Sequence, residues 1–330
     1  MARAEALLCR QTVVHDADEC SQSLSGWQQQ YQQLGRGAFL GRLTEIAQGD
    51  CALIREATNR HHLERMAVPA GGLVIGIAET LAAGSLFDRR PLTAQCLLVL
   101  EGGQEHELLA AGPTAMLGLH LGAASLAAIA ATPQGQALGR LREAAARGPI
   151  VLAPALADAI RCDLGRAAEQ PGDGLPRPHS LRSLACAQFA RAELAGSAAE
   201  ATARESGVAS ERSRKTLIRA LEFMQAHLTQ AIRIDDICGA SHASPSLLHH
   251  SFKTQRRCSA HRCLLAMRLT HARRELKTRP DQSITALAHA LQFSSSSHFA
   301  SQYRAMFGER PSELARYASP SRAFANSTLV

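Results

Sequence analysis

The stretch that decides the fold of this chain is Ile237-Cys238 through Ser244-Pro245-Ser246-Leu247-Leu248-His249-His250-Ser251-Phe252-Lys253, and it has a second copy at Leu287-Ala288 through Ser295-Ser296-Ser297-His298-Phe299-Ala300-Ser301-Gln302-Tyr303-Arg304. Each copy predicts a short helix, a tight turn and a second helix closed by an aromatic and a basic residue. A duplicated helix-turn-helix pattern inside a basic segment is typical of a DNA-binding protein.

The second helix of each copy is predicted to be a recognition helix. Ser244 before Pro245 predicts a sharp helix start, because Ser is a favoured N-cap and Pro is tolerated at the first helical position. Residues spaced by four share one helix face and are expected to be buried. These residues are Leu248 and Phe252 in the first copy and Phe299, Tyr303 and Phe307 in the second.

The opposite faces are predicted to contact DNA. The candidate base-reading residues are Ser246, His249 and His250 in the first copy and Ser296, Ser297 and Ser301 in the second. Lys253 and Arg304 follow them and are predicted to contact phosphates, which sets register without reading sequence. The base-reading set contains no Arg, Asn or Gln, so specificity should depend on hydroxyls, imidazoles, water and DNA shape. The alternative is that both histidines are ordinary solvated helix residues.

Between the two copies the spacing predicts a connecting helix. Leu265, Leu269, Ala272 and Leu276 recur at i, i+4, i+7 and i+11. Such a helix would hold the two recognition helices at a fixed separation, so that they enter successive major-groove segments about 34 Å apart.

The charge of the chain is concentrated where the repeat lies. The 330 residues carry a formal net charge of +7, but residues 212–317 hold 17 Lys/Arg and 7 Asp/Glu, while residues 1–211 hold 18 and 22. The C-terminal part is therefore basic and the N-terminal part slightly acidic, as neutralisation of DNA phosphates by the C-terminal part requires.

The N-terminal half predicts a different architecture. Residues 1–25 are polar and are expected to be loose. Short strands follow at residues 39–47, 51–57, 73–78, 95–100, 106–109 and 116–121, separated by turns. This spacing favours a small antiparallel barrel, of the cupin-like type, or a sandwich over a βαβ fold. The fold class is α+β, with a β-rich sensor domain at 1–122, a helical region at 123–195, a linker at 196–211 and an all-α domain of two helix-turn-helix units at 212–320. The linker prediction rests on small polar residues, and a Pro/Gly loop is predicted at 171–178.

The C-terminal hundred residues resemble the AraC/XylS family of transcription activators. The resemblance rests on residues of the connecting helix, of the second unit and of the segment that closes it: Arg268-Leu269, Ala272-Arg273, Leu276, Phe293, Ser297-His298-Phe299 and Phe307-Gly308-Glu309-Arg310-Pro311-Ser312. The last string is the most specific, because the family's C-terminal unit ends in Phe-Gly-x-x-Pro. Gln292 replaces the family's turn glycine, and Arg257 and Ala260 replace small residues, so strained turns are expected.

The first half resembles the sensor of the ethanolamine operon regulator group. The residues that carry this are Trp27 to Leu34, Gly37-Ala38-Phe39, Thr44-Glu45-Ile46, Arg55 to Thr58 and Gly102 to Leu108, together with Asp236-Ile237-Cys238, His242 and Arg273 to Leu276. That group responds to ethanolamine with adenosylcobalamin, and relatives with this sensor half respond to other small molecules. The resemblance therefore implies a small-molecule effector.

Candidate ligand and metal sites are sparse. Glu105 and Glu107 are two residues apart, so on a strand they share a face and could hold a cationic ligand inside a barrel. The alternative is a solvent-facing strand edge. Trp27 is the only tryptophan and is either a ligand wall or a core residue. A zinc site at Cys258, His261 and Cys263 is disfavoured, and we predict no metal, cofactor or catalytic residue, since no nucleophile, Walker or Rossmann motif occurs.

These patterns predict a cytoplasmic, sequence-specific transcription regulator, an activator of a metabolic operon, and not an enzyme. Its predicted partners are double-stranded promoter DNA, RNA polymerase and a small-molecule effector. No membrane segment is predicted, and homodimer formation through 123–195 is left open. Two alternatives stay open: a regulator without a ligand, whose N-terminal half mediates protein–protein assembly, and an enzyme domain fused to a DNA-binding domain.

Overall fold

The structure, a computed structural model, describes residues 6–24, 26–170, 180–199 and 211–318. These residues form two compact units. The first unit contains the described residues of 6–31, 40–59 and 63–199, and the second contains those of 32–39, 60–62 and 211–318. No helix in the described ranges is long and apolar enough to cross a membrane.

The first unit is built on two β-sheets. The strands are β1 (Leu8–Val14), β2 (Gln28–Gln33), β3 (Gly41–Gln48), β4 (Cys51–Thr58), β5 (His62–Ala67), β6 (Leu73–Thr80), β7 (Leu86–Phe87), β8 (Arg90–Pro91), β9 (Cys96–Glu101), β10 (Glu105–Ala110), β11 (Thr114–Leu121) and β12 (Ile150–Val151). One sheet has the order β1-β3-β4-β11-β6-β9-β12, and the other β2-β5-β10-β7-β8. Strand β11 pairs antiparallel with both β4 and β6 and lies at the centre of the larger sheet.

Five helices belong to the first unit: α1 (Ala17–Cys20), α2 (Ala123–Ala130), α3 (Gln134–Ala145), α4 (Pro154–Glu169) and α5 (Leu181–Ala199). Alternate residues of a strand point to opposite faces. On β11, Leu117, Leu119 and Leu121 pack with apolar side chains of α2–α5 into the main core. The other face of the sheet contributes Val74 and Leu98 to a second core, which also holds Met66 and Leu108 of the smaller sheet.

The α+β fold class is confirmed, and each of the six predicted strands is present with shifted ends, as β3, β4, β6, β9, β10 and β11. The prediction that residues 1–25 are loose is wrong for the described residues of that range. Strand β1 pairs with β3 from Leu8↔Ala47 to Val14↔Gly41, although most of its side chains are exposed. Strand β2, which consists of five glutamines and Tyr31, was also not predicted.

The predicted domain boundaries stay predictions, although helices α2–α5 lie in the same unit as the sheets. The predicted Pro/Gly loop at 171–178 lies outside the described residues. Helix α5 runs to Ala199, so the predicted linker begins inside a helix, and residues 200–210 lie outside the described residues.

The second unit is helical over residues 211–318. Its helices are α6 (Glu211–Ala226), α7 (Ile234–Ser241), α8 (Pro245–Gln255), α9 (Ala260–Thr278), α10 (Ile284–Ala290), α11 (Ser296–Phe307) and α12 (Pro311–Ala318). Helices α7–α8 and α10–α11 are the two helix-turn-helix units, and α9 connects them. The predicted connecting helix is therefore confirmed, with Leu269, Ala272 and Leu276 buried.

Candidate nucleic-acid interface

The first recognition helix, α8, is fixed at its start and along its buried face. The hydroxyl of Ser244 accepts a hydrogen bond from the backbone N–H of Leu247 at 3.3 Å, and Pro245 occupies the first helical position. Leu248 and Phe252 are 1% and 0% exposed, as the four-residue spacing predicted. The start and the rotation of α8 are thus set by local sequence.

A buried polar network also attaches α8 to α6. Ser213 of α6 donates to the hydroxyl of Ser251 at 2.9 Å, and the amide of Gln255 donates to Ser213 at 3.0 Å. All three side chains are buried, so each hydrogen bond offsets the cost of burying a polar group. No local pattern predicts this network, because its partners are 38 and 42 residues apart along the sequence.

The second recognition helix, α11, is held by aromatic packing. The hydroxyl of Ser295 caps it by accepting from the N–H of His298 at 3.0 Å. Ring centroids lie 5.7 Å apart between Phe299 and Tyr303 and 4.7 Å apart between Tyr303 and Phe307. Such tilted and edge-on ring pairs add to the stabilisation that burial of the rings provides. The C-cap Gly308 has φ 81°, the left-handed conformation that glycine adopts at least cost.

The outward faces of α8 and α11 match position by position. In α8 the exposed residues Ser246, His249, His250 and Lys253 follow the spacing i, i+3, i+4, i+7. The corresponding residues of α11, 51 positions later, are Ser297, Ala300, Ser301 and Arg304, of which Ala300 is partly exposed and the others exposed. Residues at this spacing form one stripe along a helix. Each helix-turn-helix unit therefore presents a short stripe that ends in a cation and is polar except at Ala300. Ser296 lies beside the second stripe at the first helical position.

The two helix-turn-helix units differ in the turn between their helices. Equivalent residues of the first helices, α7 and α10, lie 50 positions apart in the sequence. The equivalence is seen in one hydrogen bond of each unit: the backbone N–H of Ala243 donates to Cys238 O, and that of Phe293 donates to Ala288 O, both at 3.0 Å. In the recognition helices the offset is 51, so the second turn is one residue longer. His242 and Gln292 occupy equivalent places and have φ of 51° and 63°, as the replacement of the turn glycine led us to expect at Gln292.

We expect His242→Gly to raise the free energy of unfolding of the second unit by about 1 kcal/mol. A non-glycine residue in this conformation costs about 1–2 kcal/mol, which glycine relieves. The higher conformational entropy that glycine gives the unfolded chain offsets part of this gain. Gln292→Gly should be nearly neutral. Its amide donates to Thr229 O at 2.8 Å, and the loss of that hydrogen bond offsets the relief of strain. Urea unfolding of both variants measures the difference, and equal effects would contradict this account.

Two arginines, Arg268 and Arg273, anchor the connecting helix α9 to its neighbours. Arg268 donates from Nε to Leu228 O at 3.0 Å and from a terminal nitrogen to Gln230 O at 2.6 Å, in the segment between α6 and α7. Arg273 is 8% exposed and donates to the carboxylate of Glu309 and to the hydroxyl of Tyr303. Its guanidinium lies 4.6 Å from the ring centroid of Phe307. These contacts attach α9 to the segment before α7 and to the second recognition helix, α11.

Comparisons with known proteins find relatives of the C-terminal part of this chain. Residues 237–317 match the family of helix-turn-helix domains. The HTH-type transcriptional activator RhaS of Pectobacterium carotovorum subsp. carotovorum (strain PC1) is 41% identical over 71 residues, which are 22% of this chain and 25% of that protein. RhaS of Pectobacterium atrosepticum gives the same values. The chain thus spans about a quarter of the length of the curated relatives it matches.

Two solved structures are matched over almost their whole length. A transcriptional regulator with an AraC-type DNA-binding domain from Chromobacterium violaceum is 30% identical over 33% of this chain and 96% of its own, with a TM-score of 0.31. A probable AraC family regulator from Rhodopseudomonas palustris CGA009 is 30% identical over 32% and 98%, with a TM-score of 0.30. The C-terminal part of this chain is similar to AraC-type DNA-binding domains, and we name residues 211–318 the AraC-type domain for this similarity. The resemblance of the first half to the ethanolamine operon regulator group stays a prediction.

The AraC-type domain has a groove beside its second recognition helix. The groove is lined by Ser301 and Arg304 of α11, by Arg310 and by Ser312 at the start of α12. Two guanidinium groups and two hydroxyls in one groove are suited to contacts with the sugar–phosphate backbone. Arg310 was not predicted as a contact, because it lies after the recognition helix and enters the groove only through the turn at Gly308.

Four residues of the closing string Phe307–Ser312 have a structural role. Gly308 ends α11, and Glu309 pairs with Arg273 of α9. The backbone N–H of Arg310 donates to Glu313 at 2.6 Å, and Pro311 begins α12. These residues together attach α12 to α9 and α11, which explains why they occur in this order.

The cysteines of the AraC-type domain do not suggest a metal site. Cys258 and Cys263 are 4% and 0% exposed, whereas His261 is exposed on the surface of α9. In the described part of the chain, no group of three or more His, Cys, Asp or Glu residues is arranged to hold a metal ion. The hydrogen bond with Cys263 lowers the pKa of the Cys258 thiol.

The predicted ligand residues of the first unit lie in different environments. Leu108 of β10 belongs to the core between the sheets, so Glu105 and Glu107 lie on the opposite face of that strand. Glu105 is exposed, and Glu107 forms an ion pair with Arg65 at 3.5 Å. Of the two arrangements that the sequence leaves open, this geometry matches the strand face outside the core, and ligand binding by Glu105 and Glu107 stays a prediction. Trp27 is partly exposed and packs against both clusters between the sheets.

Proposed function

We propose that the protein is a sequence-specific transcription regulator whose two helix-turn-helix units bind successive major-groove segments of promoter DNA. The observation that supports this most strongly is the pair of matched stripes on α8 and α11, each ending in an exposed cation. Phosphate contacts by Lys253, Arg304 and Arg310 would set register, and the short polar residues would contact base edges.

We further propose that the first unit is the sensor and that the protein activates a metabolic operon in response to a small molecule. RhaS is named a transcriptional activator, which supports activation for this chain. The effector would act by binding the DNA-competent arrangement of the protein better than the idle one. In this proposal the protein is cytoplasmic and acts with RNA polymerase, either alone or as a homodimer.

The alternative, assembly through the first unit without an effector, differs in one measurable respect. A ligand at 100 times its Kd adds about 2.7 kcal/mol to the free energy of unfolding. An unchanged melting temperature across a panel of metabolites would favour the alternative. An enzymatic role is disfavoured because no catalytic motif was found.

The experiment that tests DNA recognition is selection of binding sites by the full chain from a random duplex library. We expect enrichment of a site with two conserved boxes whose centres lie about 34 Å, or one helical turn, apart. Enrichment of a single box would mean that only one unit reads sequence. Failure to enrich any sequence would overturn the proposal.

We expect the affinity for the selected site to fall steeply with salt, because the AraC-type domain carries a net positive charge that displaces counterions from DNA. Arg304→Ala should weaken binding to selected and random DNA alike and make the slope of log affinity against log salt shallower by about 1. Fluorescence anisotropy at several salt concentrations measures both. A loss confined to the selected site would show that Arg304 reads a base.

A further inference from the structure

A short segment far from α11 in sequence caps this recognition helix. Residues 32–39, at the end of β2, belong to the second unit together with residues 60–62 and 211–318. The backbone N–H of Gly37 donates to Ala305 O at 2.9 Å, and the side-chain amide of Gln33 donates to Met306 O at 2.7 Å. The last carbonyl groups of a helix have no partner within the helix. Residues 33–38, which we name the capping segment, provide partners for carbonyl groups of this kind in α11.

Gln33 is the buried centre of the capping segment. It is 2% exposed, and its amide nitrogen also lies 2.8 Å from Gly35 O and 2.7 Å from Gly37 O. An amide nitrogen only donates hydrogen bonds, so it suits a position surrounded by carbonyl oxygens. The capping segment also lies close to the C-cap of α11, since a Cβ atom on Gly308 would come within 2.8 Å of the Cβ atom of Ala38. The segment therefore packs directly on the end of the helix.

The capping segment contacts the edge of α11 that corresponds to the edge of α8 covered by α6. In α8, Ser251 and Gln255 form the hydrogen bonds to α6. The equivalent residues of α11, 51 positions later, are Gln302 and Met306. The side chain of Gln302 accepts from Arg36 at 3.2 Å, and Met306 O accepts from the amide of the capping segment. The capping segment thus supports the second recognition helix where α6 supports the first.

The same edge of α11 carries a row of polar contacts that leads to Arg36. Ser294 Oγ lies 3.2 Å from His298 Nδ1, and His298 Nε2 lies 3.4 Å from Gln302 Nε2. His298 and Arg36 are exposed, and Gln302 is partly exposed. His298 and Gln302 each follow a residue of the stripe on α11 by one position, so the row lies beside the stripe. Arg36 is the cation at the end of this row, as Arg304 is the cation at the end of the stripe.

We propose that the capping segment is part of the DNA-binding surface, in which Gln33 positions α11 and Arg36 contacts a phosphate beside the bases that α11 reads. This role rests on the proposed function, because it requires α11 to enter the major groove. The guanidinium of Arg36 contacts the neutral amide of Gln302 and, among the described residues, no carboxylate. Its positive charge is therefore available to a phosphate, and phosphate contacts from arginine fix the orientation of a DNA-binding protein.

The first test is Arg36→Ala in the full chain, measured by fluorescence anisotropy with the selected site and with random DNA at several salt concentrations. We expect weaker binding to both, and a slope of log affinity against log salt that is shallower by about 1. Arg36→Lys keeps the charge and should keep the slope. Arg140→Ala, which changes an exposed arginine of α3 in the first unit, should alter neither quantity.

Two results would overturn the phosphate contact. One is an affinity and a slope for Arg36→Ala that equal those of the parent protein. The other is a loss confined to the selected site, because phosphates are the same in every DNA sequence. Since Arg36 is exposed, the variant should melt with the parent protein, and a circular dichroism melting curve checks this.

The second test examines whether Gln33 acts through α11. Gln33→Ala should lower affinity for the selected site by roughly two- to tenfold, the effect of about one hydrogen bond. Ser297→Glu places a carboxylate on the DNA-facing side of α11, and Ser246→Glu does the same on α8. Residues that act through the same helix are expected to have non-additive effects. The loss caused by Gln33→Ala should therefore be smaller in the Ser297→Glu background than in the Ser246→Glu background.

Equal losses in the two backgrounds would overturn the positioning role, because a general loss of stability acts on both helices alike. Gln302→Ala is the second variant for this comparison. It removes the contact between α11 and Arg36 at a partly exposed residue and leaves the buried amide of Gln33 in place. The same difference between backgrounds is expected, so the comparison holds even if Gln33→Ala does not fold.

Selection of binding sites by the full chain separates this proposal from the proposed function. If the chain selects a DNA site but Arg36→Ala and Gln33→Ala bind it as the parent protein does, the role of the capping segment is refuted and DNA recognition stands. If the parent chain selects no site, the proposed function is refuted, and the role of the capping segment in DNA binding is refuted with it.

Discussion

Arg273→Ala is expected to destabilise the AraC-type domain by about 2–4 kcal/mol, a large part of the roughly 5–15 kcal/mol that stabilises a typical domain. The change removes a buried guanidinium that pairs with Glu309, donates to Tyr303 and lies over Phe307. It also leaves a cavity between α9 and α11. The loss falls short of that for a fully buried pair because the Glu309 side chain is 29% exposed and stays partly hydrated.

Urea unfolding followed by circular dichroism measures this loss. Arg273→Met keeps apolar packing against Phe307 and should cost less than Arg273→Ala, so the difference between the two variants separates packing from hydrogen bonding. Arg262→Ala changes an exposed arginine of the same helix and should lie within about 0.5 kcal/mol of the parent protein. If Arg273→Ala were as mild as Arg262→Ala, the closing string of the domain would not depend on Arg273.

The helical half was predictable because its signals are local. Ser before Pro sets the start of α8, and side chains four residues apart set which face is buried, so Leu248 and Phe252 could be assigned without knowledge of distant residues. The one-residue difference between the two turns was not predicted. The offset changes from 50 to 51 only between Gln292 and Ser295, in a run of serines where neighbouring registers look alike.

The β-rich half was predictable only where strands are apolar on one or both faces. Strand β2 was missed because glutamines have low strand propensity and its buried residues depend on distant partners, such as Glu64, which lies 35 residues after Gln29. Strand β1 was missed because it is an edge strand with mostly exposed side chains. Pairing across a sheet is a long-range property that local patterns do not specify.

The choice between acidic pairs shows the same limit. Glu105 and Glu107 are conspicuous because they are two residues apart, but Leu108 occupies the inner face of β10 and places both of them outside. Glu56 and Glu64 are eight residues apart on strands of different sheets, so only the packing of the two sheets brings them to one cluster. Spacing along the sequence therefore does not predict which acidic side chains lie close together in the fold.

We expect Ser297→Glu and Ser246→Glu each to weaken DNA binding by roughly 100-fold, since like charges placed together at an interface cost several kcal/mol and about 1.4 kcal/mol is tenfold in affinity. Both serines are exposed and stand at the second position of their recognition helices, two residues after the N-caps Ser244 and Ser295. A carboxylate at a helix N-terminus adds about 0.3–1 kcal/mol of stability, so the variants should melt no lower than the parent protein.

The matched controls are Ser297→Gln and Ser246→Gln, whose new side chains have the same size without the charge. Their affinity for DNA should fall by less than about tenfold. Anisotropy titrations with the selected site measure all four variants. Equal losses for Glu and Gln would show that size and not charge decides the contact, whereas a loss in only one helix would show that a single unit approaches the DNA.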